Sequence, residues 1–141
     1  MTLVTTTHLN FDGRARAALE FYHSVFGGDL AVVTYAMAHS ADQVDDPERV
    51  IFGQVTSESG FRVMAYDVQR GRGYAPGAHP FYLSVRADSD GDAAAIWDRL
   101  VVDGVVVTPF GPSAWSSSYG MVTDRFGVTW IVDVAPPGAS G

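Results

Sequence analysis

The sequence predicts an α+β protein made of two βαβββ modules whose curved mixed sheets enclose a cleft. Two observations lead to this fold class. The order of one strand, one amphipathic helix and three further strands occurs twice, over about residues 3–67 and 79–134. A stretch containing several glycines and prolines, residues 70–80, separates the two copies. Because one helix covers only one face of a four-stranded sheet, we expect each module to need a partner for its other face.

Within the first module, β-branched and aromatic residues indicate strands, and a helical spacing of apolar residues indicates one helix. The helix extends from about residue 14 to residue 26, and the glycine pair at 27–28 ends it. A polar, acidic loop over residues 39–48 is expected to be mobile. The predicted strands cover residues 3–11, 30–37, 50–56 and 61–66.

The second module repeats this order. Residues 88–90 are Asp, Ser and Asp, which are typical helix N-cap residues, and apolar residues then recur at helical spacing over 93–101. Gly104 follows that helix, and residues 135–141 are expected to form a flexible tail. The predicted strands cover residues 81–87, 105–108, 119–123 and 128–134.

Composition and length narrow the class of protein. The 141 residues suit one domain with its own core, since 47% are apolar and only 18% are charged. The absence of cysteine excludes disulfides, thiolate zinc sites and a cysteine nucleophile. A net charge of −7 argues against nucleic acid as a partner and suits solubility or a cationic ligand. Without a signal peptide or a membrane-length apolar run, we expect a soluble, cytoplasmic protein with no membrane partner.

Two segments resemble a known superfamily. ALEFY at residues 18–22, followed by VFGG at 25–28, is similar to the first helix of the vicinal-oxygen-chelate superfamily, which contains glyoxalases, bleomycin resistance proteins and dioxygenases. SYGMVTDRFGVTW at residues 118–130 is similar to its last hairpin. The Phe-Gly-Gly that follows the first helix and the Tyr-Gly-Met of the last hairpin resemble the PhnB-like branch. The resemblance extends over about residues 4–134 and implies a glyoxalase-like fold. In simpler physical terms, Trp97 and Trp130 are expected in the core.

The resemblance also implies a metal site, which this sequence matches only in part. Enzymes of the superfamily hold one divalent metal (zinc, nickel, manganese or iron) with His, Glu or Gln side chains from four strands. His8 matches the position on the first strand. Phe52 stands where PhnB-like sequences often have histidine, and Ile131 aligns with the customary glutamate. The fifth-strand position falls near residues 80–81, so His79 is adjacent to it.

His8 and His79 are therefore the candidate metal ligands, but a complete site of the usual type is not expected. The alternative for His8 is a hydrogen-bonded polar residue in the cleft, and the alternative for His79 is a loop histidine. No catalytic residue is assigned.

Candidate ligand-binding residues are those on the strand faces turned away from the helices. On the first strand, alternation places His8 and Asn10 opposite Leu9 and Phe11. Together the candidates form a mostly aromatic, lightly polar pocket that suits a flat organic molecule. The full candidate set is His8, Asn10, Phe52, Gln54, Met64, Tyr66, Tyr82, Trp115 and Tyr119.

Three functions remain open at this point. The first is a binding protein that sequesters a small, aromatic or polar organic molecule without a metal. The second is a divalent-metal-dependent lyase, isomerase or dioxygenase with altered ligands. The third is a structural or regulatory protein whose cleft is filled by side chains. Superfamily members are commonly homodimers, so the resemblance also predicts a homodimer.

Overall fold

The computed structural model describes residues 1–77 and 80–135, which form two compact units. The first unit ends at Pro76 and the second begins at Gly77. Within the described residues, no helix is both long and apolar enough to span a membrane. The predicted tail, apart from Ala135, lies outside the described residues, as does His79.

In the first unit, a helix follows the first strand and three strands come after it. The elements are β1 (Thr7–Phe11), α1 (Ala15–Phe26), β2 (Asp29–Thr34), β3 (Val50–Thr56) and β4 (Arg62–Asp67). A short 3₁₀ helix, Ala41–Gln43, lies in the loop before β3. The sheet has the order β1-β4-β3-β2, in which β1 and β4 are parallel and the other pairs are antiparallel.

The second unit has the same architecture. Its elements are β5 (Leu83–Ala87), α2 (Asp90–Leu100), β6 (Val105–Gly111), β7 (Tyr119–Thr123) and β8 (Thr129–Val134). Its sheet has the order β5-β8-β7-β6, again with one parallel pair, β5 with β8. The predicted α+β class with two βαβββ modules is therefore confirmed.

Some predicted strand ends differ from the observed ones. The first strand begins at Thr7 instead of residue 3, because pairing with β4 starts at Thr7 opposite Val63. The second strand ends at Thr34 instead of residue 37. There the Thr34 hydroxyl oxygen accepts a hydrogen bond from the Met37 amide at 3.1 Å, which turns the chain out of the sheet. The pattern of residues along one strand does not show where pairing with the neighbouring strand begins or ends.

Each helix covers one face of its own sheet, and a strand glycine makes room for it. A β-carbon on Gly53 would collide with the Leu19 side chain of α1. A β-carbon on Gly120 would collide in the same way with the Trp97 ring of α2. We call these the helix faces, and the opposite faces the open faces. Trp97 and Trp130 are both buried, as predicted.

The Asp67 carboxylate fixes the start of α1. Arg14 at the N-cap makes no capping hydrogen bond with its side chain, and the first turn has no acidic residue. Instead, Asp67 Oδ1 accepts hydrogen bonds from the amides of Gly13 (2.7 Å) and Ala15 (3.1 Å). Its Oδ2 accepts one from the Val50 amide at 3.0 Å. The last residue of β4 thereby supplies the negative charge that a helix N-terminus favours.

Replacing this carboxylate by an amide is expected to destabilise the protein. Asp67→Asn removes the charge and turns an N–H group toward backbone donors, which is expected to lower the free energy of unfolding by about 2–4 kcal/mol. Urea unfolding at neutral pH measures this change. Asp45→Asn is the matched control, because Asp45 forms an ion pair with Arg70 while its side chain is 86% exposed. Equal unfolding midpoints for the two variants would show that Asp67 does not anchor α1.

Candidate functional site

The open face of the first sheet gathers the six candidates that belong to the first unit. In the strand register, His8 lies beside Met64 and Asn10 lies beside Tyr66. Met64 is also the partner of Gln54 on the next strand. Phe52 is two residues from Gln54 on the same strand and shares its face. The predicted sharing of one face among these side chains is therefore observed, on the side opposite α1.

Two contacts hold the His8 ring in one orientation. Its Nδ1 lies 3.1 Å from Asn10 Oδ1, and its ring meets Tyr66 edge to face with centroids 5.0 Å apart. A carboxamide oxygen only accepts hydrogen bonds, so Nδ1 carries the proton in this pair. In the neutral imidazole, Nε2 then keeps its lone pair. The site consequently presents a hydrogen-bond acceptor next to an aromatic ring.

The other residues of this face add area and polar groups. Phe52 is 38% exposed, so part of this large apolar side chain is available for contact. Gln54 Nε2 donates a hydrogen bond to the Thr56 hydroxyl at 2.7 Å. This bond orients the amide. The face is thus aromatic and lightly polar, and His8 is its only imidazole among the described residues of β1, β3 and β4.

In the second unit, two of the three candidates touch each other. The Trp115 and Tyr119 rings meet edge to face with centroids 5.1 Å apart, and Trp115 is 52% exposed. Tyr119 lies on the open face, because its neighbour Gly120 faces the Trp97 ring of α2. Tyr82 directly precedes β5 and is exposed.

Two charged residues of the second open face were not among the candidates. Arg86 and Asp133 are register partners on β5 and β8, and Asp133 is also paired with Tyr119. Arg86 Nε lies 3.1 Å from Asp133 Oδ1, and Nη2 lies 3.0 Å from Oδ2. Hydrogen bonding to Asp133 and its charge raise the pKa of the Arg86 guanidinium. The sequence does show an arginine and an aspartate at positions of two predicted strands that face away from the helix. That the two residues are neighbours follows only from the strand register.

The serine run before β7 supports α2 from the side. The hydroxyls of Ser117 and Ser118 each donate a hydrogen bond to Asp90 Oδ1 at 2.6 Å. These two bonds lower the pKa of Asp90, which is the first residue of α2. The buried Ser116 hydroxyl lies 2.6 Å from the carbonyl oxygens of Ser118 and Val134. The run therefore positions the loop that carries Trp115.

The donor set of the described residues does not fit the superfamily's usual metal centre. Nowhere in residues 1–77 and 80–135 do three or more His, Asp or Glu side chains converge as metal ligands do. The neighbours of His8 on its face are an amide, a thioether and a phenol ring, and Met64 occupies the register position beside it. The second candidate ligand, His79, lies outside the described residues. No chemical step through a metal follows from this arrangement.

Comparison with known proteins agrees with the geometry. The family model described as the Glyoxalase/Bleomycin resistance protein/Dioxygenase superfamily matches residues 6–132. Protein PA1353 from Pseudomonas aeruginosa is 32% identical to this chain; the match covers 95% of this chain and 98% of that one, with a TM-score of 0.84. No curated protein matches the sequence.

A second solved structure shares the fold. The PhnB protein from Bacillus cereus is 24% identical, with 94% of this chain and 100% of that one covered and a TM-score of 0.72. At this identity the likeness is one of fold. Because the family model spans nearly the whole chain and both units have the βαβββ order, this chain belongs to the Glyoxalase/Bleomycin resistance protein/Dioxygenase superfamily.

Proposed function

We propose that the chain binds a small organic molecule, aromatic or polar, on the open faces of its sheets, without the complete metal site usual in its superfamily. One observation carries the proposal. His8 is held by Asn10 and Tyr66 with its Nε2 lone pair available, on a face where Phe52 remains partly exposed. Such a face supplies stacking area and a few fixed polar groups, which are the usual features of a small-molecule site.

Each side chain has a physical part in this binding. Phe52 and Tyr66 offer ring area, which contributes through burial and through the edge or face geometry of aromatic pairs. His8 Nε2 accepts a hydrogen bond from a hydroxyl or N–H group of the ligand. Met64 lies beside His8 and adapts its shape to the ligand, since a thioether side chain is unbranched and polarisable.

A metal-dependent lyase, isomerase or dioxygenase with altered ligands is the second candidate. The observation in its favour is again His8, because metal-binding histidines commonly donate their second ring N–H to an oxygen acceptor. One imidazole next to an amide, a thioether and a phenol is a poor donor set for a divalent metal. For this reason we favour binding without a metal.

Neutral aromatic probes test the binding proposal. We expect indole and benzimidazole, titrated at millimolar concentration, to shift the backbone resonances of β1, β3 and β4 in heteronuclear NMR spectra. Tyr66→Leu is expected to weaken this binding by about 3- to 10-fold, because an aromatic contact is lost. The control is Tyr74→Leu, since Tyr74 is an exposed tyrosine outside every strand.

The same titration can contradict the proposal. If neither probe perturbs the open face of the first sheet, that face is no aromatic binding site. If Tyr66→Leu and Tyr74→Leu bind the probes equally well, Tyr66 makes no contact with them.

Metal addition separates the two candidate functions. We expect nickel, zinc or manganese to change the melting temperature of the wild type and of His8→Ala by the same amount, because within residues 1–77 and 80–135 no group of three His, Asp or Glu side chains forms around His8. His39→Ala is the control, since His39 is an exposed loop histidine. A rise of several degrees in the wild type and in His39→Ala that is lost in His8→Ala would establish the metal-dependent alternative.

We also propose that the chain forms a homodimer. β1 stands at one end of the strand order of the first sheet, and an edge strand is able to pair with another chain. Static light scattering at micromolar concentration is expected to give twice the 15.1 kDa mass of one chain. A mass of one chain across that range would rule the homodimer out.

A further inference from the structure

The second open face carries a charged pair that binding of a neutral molecule does not require. Arg86 and Asp133 form an ion pair across β5 and β8 through two parallel hydrogen bonds of 3.1 and 3.0 Å. Planar pairing of this kind holds a guanidinium in one orientation. The arginine side chain is therefore fixed in advance and loses little freedom when a ligand binds.

Exposure decides which member of the pair meets a ligand. The Arg86 side chain is 38% exposed, whereas that of Asp133 is 4% exposed. A molecule on this face therefore meets the guanidinium, while the carboxylate is already occupied by it. A cationic ligand would find no free carboxylate here, so the local chemistry selects an anionic group in spite of the net charge of −7.

The guanidinium still has an unused edge. Arginine presents its N–H groups along two edges, and Asp133 occupies the one formed by Nε and Nη2. No acceptor among the described residues contacts Nη1. The edge formed by Nη1 and the second Nη2 proton matches the two oxygens of one carboxylate.

Aromatic rings lie on the other side of Asp133. Tyr119 on β7 is the register partner of Asp133, and its ring meets that of Trp115. Because β5 and β7 lie on either side of β8, the strands that carry Arg86 and Tyr119 are about 10 Å apart. A carboxylate joined to one or two fused rings has a comparable length.

We propose that Arg86 anchors the carboxylate of an aromatic acid on the open face of the second sheet, with Tyr119 and Trp115 contacting its rings. This inference rests on the proposed function, since it names the chemical class of the molecule bound. Asp133 acts as a positioning residue: it holds the guanidinium and does not contact the acid. Because an arginine guanidinium stays protonated in proteins, the anchor keeps its charge across the physiological pH range.

Two probes that differ only in charge test the anchor. Isothermal titration of the wild type with 2-naphthoate and with neutral 2-naphthamide is expected to give about 10- to 100-fold tighter binding of the acid. Arg86→Met is expected to bring both probes to the same affinity by weakening the acid alone. Arg86→Lys is expected to retain only part of the preference, because an ammonium group cannot pair through two parallel N–H groups.

Arg16→Met is the matched control. It removes the same charge from an exposed position of α1 in the other unit, and we expect it to keep the preference for the acid. Arg86→Met leaves Asp133 buried without its cation and is at risk of unfolding. In that case Arg86→Met combined with Asp133→Leu replaces the pair by apolar residues, and it too is expected to lose the preference.

The outcomes separate this inference from the proposed function. Equal affinity of the wild type for 2-naphthoate and 2-naphthamide overturns the carboxylate anchor and leaves aromatic binding in place. The anchor is also overturned if the preference for the acid survives both in Arg86→Met and in Arg86→Met combined with Asp133→Leu. If neither naphthalene probe binds the wild type, the anchor is wrong. If indole and benzimidazole do not bind either, the proposed function is wrong as well.

Discussion

Packing of a single helix against a four-stranded sheet is the constraint from which the properties of each unit follow. The helix buries one face only, so strand residues of the opposite parity remain available for other contacts. Gly53 and Gly120 show how close this packing is, because neither position has space for a β-carbon beneath Leu19 or Trp97. In the first unit the Asp67 carboxylate also stabilises this packing, because it accepts hydrogen bonds from two backbone amides at the start of α1 and from the Val50 amide at the start of β3.

The two units use the same topology for different chemistry. In both parallel pairs the fourth register position lies on the open face. It joins Asn10 with Tyr66 in the first unit and Arg86 with Asp133 in the second. A neutral amide and phenol therefore correspond to a charged pair. On their helix faces the two units meet the same packing requirement, whereas on their open faces they carry different side chains.

The candidate site was predictable to the extent that alternation along a strand is a local property. His8 and Asn10 were assigned to one face from their spacing, and the register confirms that they share it with Met64 and Tyr66. Orientation of the imidazole was not predictable, because it depends on the hydrogen bond to Asn10 and on the Tyr66 ring from another strand. Arg86 and Asp133 were missed for the same reason, since 47 residues separate them in the chain.

Local pattern was enough to predict the class of fold and the order of its elements, and the resemblance of two segments indicated the superfamily. Helical spacing, strand alternation and the turn residues that end each element all act over a few neighbouring residues. Register across the sheets, the carboxylate at the start of α1 and the pairing of Arg86 with Asp133 became known only from the folded chain. Each depends on which distant strand lies alongside, and that choice is made by packing and backbone hydrogen bonding of the whole unit.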